Sequence, residues 1–350
     1  MKIEEKIIDQ KSPTYFIADI AANHDGDLER AKDLIYLAAE SGADAAKFQH
    51  FEAKTIVSDI GFKSLGNKFA HQTKWKKSVY EVYEDASVNW EWTNEIKTTC
   101  EKAKISFFTT PYSLEIVDFI DKYVPAYKIG SGDITWTKII EKIADKNKPY
   151  ILATGASNLS EVIHAVECAL KINKDFCLMQ CNTNYTNSLE NFKYINLNVI
   201  KTYKKIFPEI LLGLSDHTPG HSTVMGAITL GAKMIEKHFT DNNDRNGPDH
   251  AFSMNPTTWR EMVDRSRELE LALGESIKKV EDNEKDTIIL QRRSYRANKN
   301  IEKGCRIKDE DFSCLRPCPS DALLPSVEII GKTINRNISV GDYIKNGDIN

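Results

Sequence analysis

Eight short apolar runs rich in β-forming residues recur along the chain, at 15–20, 45–49, 105–109, 126–129, 150–153, 176–180, 210–214 and 233–237. Between most of them lie segments with apolar residues at helical spacing. Leu28-Ala31-Leu34-Ile35-Ala38, Ile116-Phe119-Ile120 and Val162-Ala165-Val166-Ala169-Leu170 are three such stripes. Strands that alternate with helices imply parallel β/α units, because a parallel pair needs a crossover long enough to hold a helix. Eight strands in roughly 240 residues is the count and length of a (β/α)8 barrel. An open doubly wound sheet is the alternative, and the residues at the strand ends argue against it. Asn23 and His24, Lys47 and Gln49, Thr109 and Thr110, Lys128 and Ser131, Thr154, Gln180 to Thr183, Ser215 to His217, and Glu236 with His238 lie at or just after successive runs. A barrel gathers all of these around one mouth, where barrel active sites sit. An open sheet would spread them along an edge of roughly 35 Å.

Two features break the regularity. A long stretch, 51–89, follows the second run and contains Trp75 and Tyr80; a connection of that length is more often functional than filler. After Gly274 the pattern changes to a charge-rich segment and then short β-like runs with glycine turns at Gly304, Gly331 and Gly341. The expected organisation is a barrel over 1–280, a linker over 281–289 and a small, mostly β domain over 290–350. The 47 basic and 51 acidic side chains give a net charge of −4, which excludes a generally basic nucleic-acid coat but not a local cationic pocket. No apolar run approaches the ~18 residues of a membrane span. The charged N-terminus lacks the apolar core of a secretory signal, so the seven scattered cysteines read as reduced thiols of a cytoplasmic protein.

His217 and His238 closely follow the last two strands, and adjacent strands bring them within reach of one ion. Imidazole with oxygen ligands suits Mn, Fe, Co or Zn. The alternative is two unrelated loop histidines. Asp216 is a candidate outer partner of such a site, and His221 and His250 are further candidate ligands. Lys47 and Lys128 sit within apolar strands, where a lysine is costly unless paired. They form a buried salt bridge, to Asp44 or Glu236, or they face an anionic substrate. Gly130-Ser131-Gly132 and Thr154-Gly155 could turn backbone N–H groups toward phosphate or carboxylate oxygens. No Walker or dinucleotide fingerprint is present. In Asn23-His24-Asp25-Gly26-Asp27, Asp27 reads as a helix N-cap, and Asp25 either belongs to the turn or faces the mouth. Cys181 lies near the mouth as a weak nucleophile candidate, while Cys314 and Cys318 lack the second pair a structural zinc site needs.

Taken together, these strings resemble the sialic acid synthase family, whose members make nine-carbon nonulosonic acids. The resemblance rests on Asn23-His24-x-Gly26, Lys47-Phe48-Gln49, Thr110-Pro111, Tyr127-Lys128-Ile129-Gly130-Ser131-Gly132, Thr154-Gly155, Gly213-Leu214-Ser215-Asp216-His217, Glu236-Lys237-His238-Phe239-Thr240, Gly247-Pro248-Asp249, Ser253-Met254-Asn255-Pro256 and Leu315-Arg316-Pro317, in that order. It covers nearly the whole chain, with a C-terminal part similar to the antifreeze-like (SAF) domain. The resemblance implies condensation of phosphoenolpyruvate with an open-chain N-acyl hexosamine, giving a nine-carbon 2-keto acid and phosphate. It implies that His217 and His238 hold a divalent metal, Mn or Mg. Lys47, Lys128, Thr110, Ser131 and Ser215 would bind phosphoenolpyruvate. Asp25 would be a catalytic group at the mouth, alongside Lys47, Lys128, His217 and His238; Gln49 and Thr183 would bind substrate, Asp249 and the residues around Tyr185 would line the sugar side, and Arg316 would reach the other subunit of a domain-swapped homodimer. Three departures fall where the sugar would be read. Asp25 and Asp19 replace a common Glu, and Asn182-Thr183-Asn184-Tyr185-Thr186 differs from the usual string. N-acetylmannosamine is the expected sugar; a diacetamido-trideoxyhexose, giving legionaminate or pseudaminate, is the second reading. A metal-dependent protein that binds these ligands without turnover is the alternative from another class.

Overall fold

The computed structural model describes residues 1–65, 72 and 75–350. The chain forms two compact units, Met1–Gly274 and Glu275–Asn350. In the first, the eight expected runs become eight parallel strands: β1 (Tyr15–Asp19), β2 (Ala45–His50), β3 (Ser106–Pro111), β4 (Tyr127–Ile129), β5 (Tyr150–Ala153), β6 (Phe176–Cys181), β7 (Leu211–Asp216) and β8 (Met234–His238). Ladders join them in the order β3-β2-β1-β8-β7-β6-β5-β4. The first strand therefore pairs with the last, as barrel closure requires, and β3 lies beside β4 at the remaining seam without a ladder among the described residues.

Helices α1 (Leu28–Glu40), α2 (Ala53–Ile56), α3 (Asp59–Ser64), α4 (Val79–Ala86), α5 (Thr93–Ala103), α6 (Leu114–Ile120), α7 (Thr137–Ala144), α8 (Leu159–Leu170), α9 (Val199–Ile206), α10 (Ser222–Thr229) and α11 (Pro256–Leu273) fill the connections. Their starts follow from capping chemistry. Asp27 accepts from the N–H groups of Glu29 and Arg30 at the start of α1, and Asn158 with Glu161 forms a capping box for α8. The stripe Ala31, Leu34, Ile35 and Ala38 is the buried face of α1.

Strand alternation sorts the core into two layers. Phe16, Ala18, Ala46, Phe48, Phe107, Tyr127, Ile129, Leu152, Leu178, Leu214 and Ile235 point outward and pack on the helices. Tyr15, Ile17, Ala45, Phe108, Ile151, Cys177, Met179 and Met234 point inward and fill the barrel. Ile3 and Ile8, from a small antiparallel ribbon at the chain start, belong to this inner layer.

The second unit has its own core of Ala297, Ile301, Ile307, Ile334, Ile338 and Ile344. Its regular sheet is β9 (Ser294–Ala297) antiparallel to β10 (Phe312–Leu315), and isolated bridges tie the glycine-turn runs together. The stretch 281–289 is not bare linker: it holds a short turn, Asp282–Glu284, and enters helix α12 (Lys285–Gln291). The Ile289 carbonyl accepts from the Cys318 N–H at 2.8 Å, which fastens that helix to the unit. All seven cysteines are free thiols.

Candidate active site

The inward parity that fills the lower barrel with apolar groups continues to the C-terminal strand ends, where it presents Asp19, Lys47, Thr110, Lys128, Ser215, Glu236 and His238. All seven are buried. Lys47 Nζ lies 2.6 Å from Asp19 Oδ2 and 3.8 Å from Glu236 Oε2, and Lys128 Nζ lies 3.2 Å from Glu236 Oε1. The Ser215 hydroxyl donates to Glu236 Oε1 at 3.0 Å. Burial works to raise the Glu236 pKa, but Lys128 and Lys47 outweigh it and hold the carboxyl at about 2. Burial likewise opposes the charge on Lys47, and Asp19 and Glu236 reverse that effect and raise its pKa. The salt-bridge partner of both lysines is thus Glu236, joined by Asp19. Asp44 instead pairs with Lys6 on the surface. The Thr110 hydroxyl oxygen and Glu236 Oε2 are buried without a hydrogen-bond partner.

The two histidines converge as expected. Their ring centroids are 5.3 Å apart. Burial depresses both pKa values to about 3, so both imidazoles are neutral, the form that ligates metals. His217 Nδ1 is 2.8 Å from the Asn182 carbonyl, which places its proton there and leaves a lone pair on Nε2. His238 Nε2 is 3.5 Å from Asp19 Oδ2, and its Nδ1 is buried without a partner. Among the described residues no third His, Cys, Asp or Glu completes a metal cluster. Two neutral imidazoles with their ring centroids 5.3 Å apart fit a divalent ion that both would hold.

Above them lies a cavity of about 1120 Å³, lined among others by Asp25, Trp75, Asp85, Tyr185, Arg245 and Phe252. Tyr185 and Phe252 form its floor over the histidines, with Tyr185 edge-on to His217 at 4.4 Å and Phe252 4.9 Å from His238. Val82, Asp85 and Ala86 come from the 51–89 stretch, so that long connection does build the mouth. Asp25 has a left-handed backbone, φ +53, and faces the cavity. Its carboxylate is held from two sides, by Arg30 Nε at 3.0 Å and by His250 Nε2 at 2.9 Å. Asp249 Oδ2 accepts from the Ala22 N–H at 3.3 Å and stands 3.9 Å from His238 Nδ1; burial, with Asp19 nearby, pushes its pKa up to about 7.

Several expectations need correction. Asp216 does not touch His217 from outside; it points to the opposite face and pairs with Lys237, because neighbours along a strand alternate. His250 is no ligand, since Asp25 and Thr240 occupy both ring nitrogens, and His221 sits at the start of α10. The Gly155 N–H is spent on Ser131 Oγ at 2.9 Å, so it does not face a ligand. Cys181 is buried, and burial raises its thiol pKa, which removes its nucleophilic character. Gln49 and Thr183 are half-buried at the mouth strands and the following loop. Arg316, in the second unit, is exposed and donates from Nε to the Gln291 carbonyl at 2.6 Å. Sequence reasoning named Glu236 as a possible partner of the two lysines and Asp19 as a departure on the sugar side, but assigned neither to an inner ring. The signal was available, since both share strand parity with residues that were selected.

The matches to known proteins agree with this geometry. The SAF domain model covers residues 292–350. The chain is 33% identical to the N,N'-diacetyllegionaminic acid synthase of Campylobacter jejuni, over 95% of this chain and 99% of that one. It is 32% identical to the human N-acetylneuraminate-9-phosphate synthase, over 77% of this chain and 73% of that one. Its fold is similar to the crystal structure of the N-acetylneuraminic acid (sialic acid) synthetase of Leptospira borgpetersenii serovar Hardjo-bovis in complex with citrate. There the TM-score is 0.71 and the identity 26%, covering 82% of this chain and 94% of that one. The NeuB family model matches residues 34–278, which hold seven of the eight barrel strands, and the chain belongs to the NeuB family.

Proposed function

We propose that this enzyme condenses phosphoenolpyruvate with the open-chain aldehyde of an N-acyl hexosamine, releasing phosphate and a nine-carbon 2-keto acid. The observation that carries the reading is the inner ring itself: two buried lysines and two hydroxyls on four strands, beside two neutral imidazoles against which Tyr185 and Phe252, lining residues of a cavity of about 1120 Å³, are packed. Lys47 and Lys128, with Thr110, Ser131 and Ser215, hold the carboxylate and phosphate and fix the direction of the methylene carbon. That carbon attacks the aldehyde carbon, water adds to the cationic centre left behind, and phosphate departs with C–O cleavage. Asp25, Gln49, Thr183, Tyr185 and Asp249 hold the sugar chain, and Tyr185 with Phe252 limits water at the reacting atoms. His217 and His238 would hold a divalent ion, Mn or Mg, which when bound supplies Lewis-acid polarisation of the aldehyde oxygen. Arg316 serves the mouth of a second copy and contacts the N-acyl group, a role that suits its exposed fork.

N-acetylmannosamine is the first reading of the sugar. A diacetamido-trideoxyhexose is the second reading, supported by the match to the legionaminic acid synthase over 95% of this chain. Among the described residues no helix is long and apolar enough to cross a membrane. The test is incubation with phosphoenolpyruvate, Mn²⁺ and a panel of N-acyl hexosamines, following phosphate release and product mass. A product mass of sugar plus pyruvate with one sugar identifies the substrate. Tight binding of both ligands with no phosphate released from any sugar would establish the non-catalytic alternative.

A further inference from the structure

Behind the two imidazoles, on the outward side of β7 and β8, lies a buried ion pair that the reaction does not use. Asp216 and Lys237 are partners in the ladder, and their side chains are 0% and 1% exposed. The Lys237 ammonium donates to Asp216 Oδ2 and, at 2.6 Å, to the Thr218 carbonyl. Asp216 Oδ2 also accepts from the hydroxyls of Thr218 and Thr223, each at 2.8 Å. His217 is therefore flanked on both sides by residues bound to Lys237, and Lys237 is the residue before His238.

A fully buried ion pair is an expensive way to stabilise a barrel, since well-packed apolar residues in its place are often neutral or more stabilising. What an apolar pair could not do is fix a carbonyl and a hydroxyl of the residue after His217. The paired ladder ends at Asp216 and Lys237, so the backbone of His217 has left the sheet when it turns its ring inward. We propose that Asp216, Lys237, Thr218 and Thr223 form a clamp of positioning residues that sets the spacing and orientation of the His217 and His238 rings for a divalent ion. The inference rests on the reading of those histidines as metal ligands.

The test uses the full-length protein, with Mn²⁺ uptake followed by the electron paramagnetic resonance of free Mn²⁺ and site geometry by the visible spectrum of bound Co²⁺. Asp216→Leu/Lys237→Met should keep its urea unfolding midpoint at or above the wild-type value. Its Mn²⁺ dissociation constant should rise roughly 10–100-fold, as for lost outer partners of metal ligands, with an altered Co²⁺ spectrum. Lys237→Arg should retain both properties. Should the double variant fail to fold, Thr223→Val, which removes one donor and keeps the ion pair, should show the same changes on a smaller scale. A folded double variant, or a Thr223→Val protein in its place, with wild-type Mn²⁺ affinity and Co²⁺ spectrum overturns the clamp alone. Wild-type protein that takes up neither ion refutes the metal reading and the clamp with it.

Discussion

Replacing Lys128 by Met, alone and together with its partner Glu236, separates two roles that one ammonium can play in this barrel. Lys128 Nζ stands 3.2 Å from Glu236 Oε1, and both groups are buried. After the substitution Glu236 keeps the Ser215 hydroxyl at 3.0 Å and Lys47 at 3.8 Å. Removing one partner of a buried pair costs about 3–5 kcal/mol. Because Lys47 remains near, the low end is expected, about 3 kcal/mol, still a large part of a typical ~5–15 kcal/mol total. If Lys128 also holds phosphoenolpyruvate, binding in the transition state loses a further 2–5 kcal/mol or about that. At ~1.4 kcal/mol per decade this is roughly 30- to 4000-fold in kcat/KM. The single variant moves both quantities, so the informative protein is Lys128→Met/Glu236→Gln. It has no unpaired charge at this point, and its stability should recover while kcat/KM for phosphoenolpyruvate stays low. Glu236→Gln alone controls for any role of the carboxylate. Urea unfolding reports the first quantity and initial rates of phosphate release against phosphoenolpyruvate concentration report the second. A double variant that recovers both would show that Lys128 is only a structural counter-ion.

The other expectations test the fold, the charges and the assembly. Gly213→Ala would place a Cβ 2.6 Å from the Met234 carbonyl oxygen, backbone of β8 that cannot yield, so a thermal unfolding curve should show a loss of about 1–3 kcal/mol; an unchanged midpoint contradicts the close approach. Hydrogen bonds from Arg30, and then Arg245, hold the Asp241 carboxyl well below the usual range near 4. Its folded pKa lies below the unfolded one, so the stabilisation is complete above pH ~4 and fades as pH falls through the folded value. Asp241→Asn should therefore be less stable than wild type at neutral pH, with the gap closing on acidification; a gap that is constant with pH rules out this ion pair as its source. His217→Ala and His238→Ala should stay folded and lose divalent-ion-dependent phosphate release, and full turnover by metal-stripped wild type would speak against both assignments. Mixing His217→Ala with Arg316→Ala chains under subunit exchange should restore about a quarter of the sites if Arg316 acts in the partner's mouth, since about half the dimers are mixed and each has one intact site; no rescue would place Arg316 in its own chain's service.

The barrel was legible because two periodicities carry it. The apolar runs matched the eight strands to within about two residues at each end, and the α1 stripe became that helix's buried face. The same period of two, carried to the strand ends, sorts the site. His238 is inward, so Glu236 is inward and Lys237 is outward; Ser215 and His217 are inward, so Asp216 is not. Choosing residues by chemical type rather than by parity put Asp216 beside the histidines and left Glu236 as one of two possible salt-bridge partners of the lysines. Contacts made by loops were not legible at all. His250 meets Asp25 across 225 positions of sequence, and nothing in the spacing of either residue announces the partner. The 51–89 stretch could be flagged by its length, but which of its residues face the cavity depends on how α4 is oriented.

The charge of the ring limits what the two lysines can do alone. Lys47 and Lys128 carry two positive charges, and Asp19 and Glu236 supply two carboxylates against them, with both imidazoles neutral. The ring is balanced before any ligand arrives. A phosphate monoester brings roughly −1.5 to −2 at neutral pH, and the carboxylate of phosphoenolpyruvate takes the total to about −2.5 to −3. At ~4 Å and an effective dielectric near 20, each uncompensated unit charge is worth about 4 kcal/mol, so two or three of them exceed the roughly 3–6 kcal/mol that a pair of hydroxyls returns to an anion. On the proposed reading the lysines would select the shape and direction of the anion, while its charge would have to be met from elsewhere. Asp19 bears on this point, because burial, against the pull of Lys47, pushes its pKa up, making it the ring carboxylate that gives up its charge more readily. A divalent ion at His217 and His238 would supply the remainder. It would sit beside the ring on the two strands whose ends Asp216 and Lys237 tie together, so that anion recognition and metal binding become one electrostatic unit rather than two neighbouring sites.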